Sequence, residues 1–189
     1  TTLLLLITGC LMLQPLSTDL YLASLPHLTV YFDASPAAVQ QTLSLFVIGF
    51  GSAQLVSGPL SDRYGRRPVL LGGLGIYMAA SVACGLAPSL EFLNVARGVQ
   101  GMAAAAANVT SLALVSAAFP EPKAKARAIG IWTAIASLGT AIGPTLGGVL
   151  VESWGWRSVF LINVPVGTVV VWLTLRYVAE SRDERPRML

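Results

Sequence analysis

The sequence predicts an all-α integral membrane protein, a single bundle of six transmembrane helices. Three observations predict it. The chain has too little charge for a water-facing surface, it contains six apolar runs long enough to cross a bilayer, and its basic residues sit in alternate joints between those runs. Of its 189 residues, 54% are hydrophobic and 11% charged, and the mean hydropathy is +0.71. A soluble domain carries about 25% charged residues, so lipid is the solvent this composition suits. The net charge of +3 does not imply a nucleic-acid partner, because the charges cluster between apolar runs and so read as membrane topology.

A helix crossing a hydrocarbon core of roughly 30 Å needs about 20 mostly apolar residues. The runs at about 2–23, 38–60, 69–87, 91–117, 128–151 and 158–178 meet that requirement. Within the first, Leu6-Ile7-Thr8-Gly9-Cys10 resembles a lipoprotein cleavage box, and the run could pass for a signal peptide. No basic stretch precedes it and five more spans follow, so it is read as a span. The chain opens on Thr1 rather than Met, and further residues, some of them basic, are expected upstream.

Ser35-Pro36 suits the cap and first turn of the second span. Pro68 suits the first turn of the third, and Pro120 and Pro122 separate the fourth from the fifth. Cys10 and Cys84 lie inside apolar runs without metal-ligand spacing and read as small apolar fillers. His27 is placed in an outer loop.

Orientation follows from the basic residues. Arg63, Arg66 and Arg67 lie in the second joint, and Lys123, Lys125 and Arg127 in the fourth. Arg176, Arg182, Arg185 and Arg187 lie at the end of the sixth span and in the tail, making ten of the twelve Lys and Arg. The positive-inside rule then places the even joints and both termini in the cytoplasm.

The second joint reads Gly58-Pro59-Leu60-Ser61-Asp62-Arg63-Tyr64-Gly65-Arg66-Arg67-Pro68. Gly58 and Gly65 would permit close backbone approach and a tight turn, and Asp62 and the arginines can pair and grip helix ends. The segment resembles the loop signature of the major facilitator superfamily, G-x-L-x-D-R-x-G-R-[RK], in which the loop latches two six-helix halves together.

In the fourth span, Asn94, Arg97, Gly101, Ala104, Asn108 and Ser111 recur at steps of three and four and form one stripe. Small and polar residues along a membrane helix face protein or a water-filled cavity rather than lipid. Arg97 inside a span costs about 2.5–3.5 kcal/mol on insertion scales unless compensated. The plain alternative is an arginine snorkelling to the outer interface. The run Arg97-Gly98-Val99-Gln100-Gly101-Met102-Ala103-Ala104 is similar to the R-x-x-Q-G-x-x-A signature of drug/proton antiporters.

The first span holds one charge, Asp19. The segment Ser17-Thr18-Asp19-Leu20-Tyr21-Leu22-Ala23-Ser24-Leu25-Pro26 resembles the first helix of the Bcr/CflA group, with Ala23 where that group has proline. By residue count Asp19 and Arg97 lie at one depth and could meet, unless rotation of the helices separates them. The fifth span carries Gly139, Gly143, Pro144, Gly147 and Gly148, which look like the antiporter motif G-x-x-x-G-P-x-x-G-G. Gly139, Gly143 and Gly147 share a face that permits close packing, and Pro144 removes one backbone hydrogen bond. The run Trp154 to Gly167 resembles the W-R-x-x-F-x-I-N-x-P-x-G segment of the EmrB/QacA group. The chain is thus identified as the N-terminal half of a major facilitator drug/proton antiporter, Bcr/CflA-like in its first part and EmrB/QacA-like in its second, with a C-terminal six-helix half absent.

The resemblance implies efflux of drugs or other amphipathic small molecules across the cytoplasmic membrane, with a proton as coupling ion and no cofactor or metal. No serine–histidine–acid set, phosphate-binding loop or metal cluster suggests an enzyme. Burial favours a neutral carboxyl and a nearby guanidinium favours a carboxylate, so Asp19 is expected to take and release a proton, with Arg97 and Gln100 tuning the exchange. The expected partners are the bilayer, a small amphipathic or cationic substrate, and either the C-terminal half or a second copy of the chain. A sugar or metabolite transporter of the same fold and a non-transporting membrane subunit are the alternatives.

Overall fold

A computed structural model describes residues 18–178. Most of the first predicted span, including Cys10, and the tail arginines Arg182, Arg185 and Arg187 lie outside the described residues. A helical stretch at 18–22 is followed by α1 (Leu25–Tyr31), α2 (Pro36–Tyr64), α3 (Arg66–Gly85), α4 (Leu90–Ala118) and α5 (Pro122–Trp154). Then come α6 (Ser158–Leu161) and α7 (Asn163–Tyr177). No strand occurs among the described residues. Among the described residues, five helical stretches, with α6 and α7 taken together as Ser158–Tyr177, are long and apolar enough to cross a membrane.

The helix boundaries have local causes. Ser35 caps α2 by accepting from the Ala38 N–H at 3.2 Å, with Pro36 opening the helix. Ser89 caps α4 by accepting from the Phe92 N–H at 3.3 Å. Pro122 opens α5. Gly65 joins α2 to α3 at φ 101° and Gly155 ends α5 at φ 78°, a backbone region that glycine enters without a Cβ penalty. Two features differ from those the sequence predicts. His27 lies in the short helix α1, exposed, rather than in a loop. The sixth span is interrupted at Ile162, so that α6 and α7 follow one another instead of forming one regular helix.

Helices α2 and α4 cross closely. A Cβ on Gly49 would run into the Gly98 carbonyl oxygen, and one on Gly101 into the Phe46 carbonyl oxygen. On the other side of the bundle, α5 buries little but Ala128, Gly139, Gly143, Gly147 and Val151. Its glycine ridge receives the chain at residues 19–20: a Cβ on Gly143 would lie 2.5 Å from the Asp19 Cβ, and one on Gly147 2.5 Å from the Leu20 carbonyl oxygen. Small residues let helices approach to van der Waals distance, which is how helices associate where lipid is as apolar as leucine. Two apolar clusters fill the interior. One gathers Phe46, Leu70, Leu74, Tyr77 and Val170, the other Tyr21, Leu28, Val39, Leu93, Trp156 and Phe160. Large apolar side chains such as Val47, Ile48, Leu55 and Trp172 point outward, away from the core.

Candidate functional site

Arg97 is fully enclosed, with 0% of its surface exposed. It therefore does not snorkel. Its guanidinium carbon stands 4.3 Å from the ring centres of both Tyr21 and Phe46, and 5.8 Å from that of Phe160. Three elements build this box: the end of the first span, α2 and α6. The Tyr21 hydroxyl is hydrogen-bonded to that of Thr42, and Thr42 donates to the Val39 carbonyl at 2.6 Å, so the ring is fixed to α2. A desolvated cation over an aromatic face gains roughly 2 kcal/mol, which offsets part of the cost of burial.

Polar contacts continue on the far side of the guanidinium. Arg97 Nη1 donates to Gln100 Oε1 at 2.8 Å, and Gln100 Nε2 donates to Ser81 Oγ at 2.8 Å. Ser81 in turn donates to the Tyr77 carbonyl at 2.8 Å, and the Cys84 thiol lies 3.9 Å from Gln100 Oε1. Gln100 and Ser81 are fully buried as well. Arg97 Nε and Nη2 have no hydrogen-bond partner, and no carboxylate pairs with Arg97 among the described residues.

Asp19 is not that partner, which corrects the expectation that the two charges meet. The reason is rotational. Tyr21, two residues on, faces Arg97, and residues two apart on a helix point about 200° apart. Asp19 therefore faces α5, against Gly143 and near the Thr140 hydroxyl. It is half-buried and Thr140 is exposed, so the carboxyl lies on an open face while the guanidinium is sealed in the core.

The stripe on α4 faces protein: Arg97, Gly101, Ala104 and Ser111 are buried, and Asn94 and Asn108 half-buried. In the antiporter motif Gly139, Gly143 and Gly147 are buried, whereas Pro144 is exposed, and α5 continues through it. A Cβ on Gly148 meets nothing within 4 Å. The same holds for Gly58, so the expected close approach there is not made within this bundle.

At the α2–α3 joint, Arg66 Nη2 lies 3.7 Å from Asp62 Oδ1, and Arg63 sits over the Tyr64 ring at 5.5 Å. Arg67 Nη2 donates to the Leu175 carbonyl at 2.7 Å, a cation on the closing turn of α7 where the helix presents free carbonyls. The opposite end of the bundle carries Tyr31, Phe32 and Trp156 in mutual ring contact, with Arg157 donating to the Tyr31 hydroxyl at 2.8 Å.

Sequence reading missed Tyr21, Thr42, Phe46, Ser81 and Phe160. Spacing from Arg97 finds Gln100 one turn away on the same helix. It cannot find side chains that other helices bring alongside.

Apolar helices of membrane length, closed around a buried cation and a directed polar chain, define a polytopic membrane bundle. The comparisons make that class specific. Residues 7–188 match the Major Facilitator Superfamily, and the chain belongs to that family. It is 53% identical over 164 residues to the multidrug resistance protein Stp of Mycobacterium tuberculosis (strain CDC 1551 / Oshkosh), covering 87% of this chain and 30% of that protein. It is 42% identical over 166 residues to the drug efflux pump JefA of the same strain, covering 88% and 33%. To a methylenomycin A resistance protein of Streptomyces coelicolor it is 40% identical over 143 residues, covering 76% and 30%. The chain spans about a third of the length of these relatives. In fold it is similar to the proton:xylose symporter XylE, with a TM-score of 0.81 at 16% identity, over 93% of this chain and 44% of that one.

Proposed function

We propose that the chain forms the first six-helix bundle of a proton-coupled exporter of drugs or other amphipathic small molecules in the cytoplasmic membrane. Asp19 takes a proton from the outside, and a drug entering from the cytoplasm or inner leaflet displaces it. The observation that carries this reading is the placement of Asp19. It is a carboxyl on a half-open face, while the guanidinium of Arg97 is sealed in the core with no counter-ion beside it among the described residues. The relatives named for multidrug resistance, drug efflux and methylenomycin resistance support the substrate class.

Because the two charges do not touch, Arg97 acts on Asp19 through its field. Across a helix, about 10 Å with side chains, two unit charges at an effective dielectric near 20 attract by roughly 1.5–2 kcal/mol. That is enough to bias protonation about tenfold and weak enough to leave exchange reversible. Gln100 holds the guanidinium in place. Export itself needs a second bundle, since transporters of this fold rock two bundles about a midplane site. The even joints and both termini face the cytoplasm in this reading.

The test is drug accumulation in proteoliposomes holding the full-length protein, driven by an imposed pH gradient with ethidium as the probe. Asp19→Asn should insert and purify like the parent and lose gradient-driven accumulation. Uphill accumulation by the Asn variant contradicts the assignment.

A further inference from the structure

Gln100 has an amide whose two ends differ in character, a carbonyl that accepts and an NH2 that donates. Its orientation decides whether Arg97 meets an acceptor or another donor. Gln100 does not set that orientation itself, and Arg97 sits at only one end of it. Ser81, on α3, sits at the other. The Ser81 hydroxyl has one proton, and its Oγ lies 2.8 Å from the Tyr77 carbonyl oxygen, which can only accept. That commits the proton to Tyr77 and turns the Ser81 lone pairs toward Gln100. Gln100 meets them with Nε2, which leaves Oε1 for Arg97 Nη1. A flipped amide would oppose NH2 to guanidinium and oxygen to oxygen, in a place sealed from water where neither mismatch is repaired.

We propose that Ser81 is a positioning residue for Arg97: by accepting from Gln100 it fixes the amide that fixes the guanidinium. This rests on the reading of Arg97 and Gln100 as part of the exchange machinery. It also gives α3 a role. Its first turn carries Arg67, bonded to the end of α7, and its last third carries Ser81 and Cys84, both against Gln100. A displacement of α3 relative to α4 therefore reaches Arg97 through Gln100.

Two substitutions separate positioning from packing. Ser81→Cys keeps the size of the side chain and replaces a good acceptor with a weak one. Ser81→Thr keeps the acceptor. In proteoliposomes of the full-length protein, Ser81→Cys should lower the maximal rate of gradient-driven ethidium transport about tenfold, the scale of one lost buried hydrogen bond. The ethidium KM should stay within about twofold, and Ser81→Thr should recover most of the rate. Combined with Gln100→Ala, Ser81→Cys should add nothing, since both remove the same link. Parental rates in Ser81→Cys, or additive losses in the double variant, overturn the proposal.

A second readout does not depend on transport. In protein labelled with 15N at glutamine side chains, the Gln100 amide resonance should move in Ser81→Cys and return in Ser81→Thr. An unmoved resonance overturns the proposal even where no export is found. Parental protein that transports no ethidium counts against the proposed function instead, and the resonance then decides the Ser81 inference alone.

Discussion

Arg97 shows what one residue demands of a membrane interior. A guanidinium sealed from water needs acceptors or aromatic faces on every side, and here Gln100 supplies one acceptor while Tyr21 and Phe46 supply faces. Lysine has neither the planar ion that stacks on rings nor the fork that reaches Gln100. Arg97→Lys should therefore lose at least tenfold in gradient-driven ethidium transport while still inserting, and a parental rate in that variant would remove the aromatic box from the account. Gly101 makes a complementary prediction. Its Cβ position is taken by the Phe46 carbonyl, so Gly101→Ala should destabilise the bundle by about 1–3 kcal/mol, the usual cost of overpacking. Gly58→Ala meets open space within the bundle and should leave detergent-unfolding temperature unchanged. The sequence shows that Arg97 is inside a span and that Gln100 lies one turn on. It does not show which side of the first helix faces Arg97, because residue counting measures depth and says nothing about rotation. Helix rotation decides whether Asp19 turns toward Arg97, and it turns to α5 instead.

At the scale of elements, the runs predicted as spans two to five coincide with α2 to α5, because a bilayer imposes length and apolarity that a single sequence displays directly. The helices extend beyond the predicted runs at polar ends: α5 covers Pro122–Trp154 where 128–151 is the apolar part. Its 33 residues rise about 50 Å, well past the hydrocarbon core. The short helix α1 was not legible, since its seven residues carry no span signal. The interruption at Ile162 had a signal in Pro165, which has no N–H to donate to the Leu161 carbonyl four residues back. The fifth span's glycines were legible as a packing ridge, and its partner, the chain at Asp19 and Leu20, was not. The ridge predicts a graded result. Gly143→Ala and Gly147→Ala would push against the Asp19 Cβ and the Leu20 backbone, lowering drug transport several-fold as the carboxyl is displaced. Gly148→Ala, with nothing within 4 Å, should match the parent in purified yield and unfolding temperature. Equal unfolding temperatures for all three variants would show that the ridge does not carry the packing assigned to it.

For the molecule as a whole, the bundle has two chemically distinct ends. One holds the α2–α3 joint with Arg67 bonded to the end of α7, and the other holds the aromatic cluster of Tyr31, Phe32 and Trp156. The proposed topology, argued from the charge pattern, has the first end in the cytoplasm. In a cysteine-free background of the full-length protein, with Cys10 and Cys84 among the residues replaced, Lys125→Cys should react with a membrane-impermeant maleimide only in inside-out vesicles, and Asp33→Cys only in right-side-out cells. The reverse pattern would invert the topology and with it the direction of transport. Between those ends the central claim is that drug and proton compete through Asp19. The most direct measurement is proton release on drug addition to the purified full-length protein in weakly buffered detergent, followed with a pH-sensitive dye. Ethidium should release protons from the parent near neutral pH and none from Asp19→Asn. Undiminished release from the Asn variant, with ethidium bound equally by both proteins, would contradict the account.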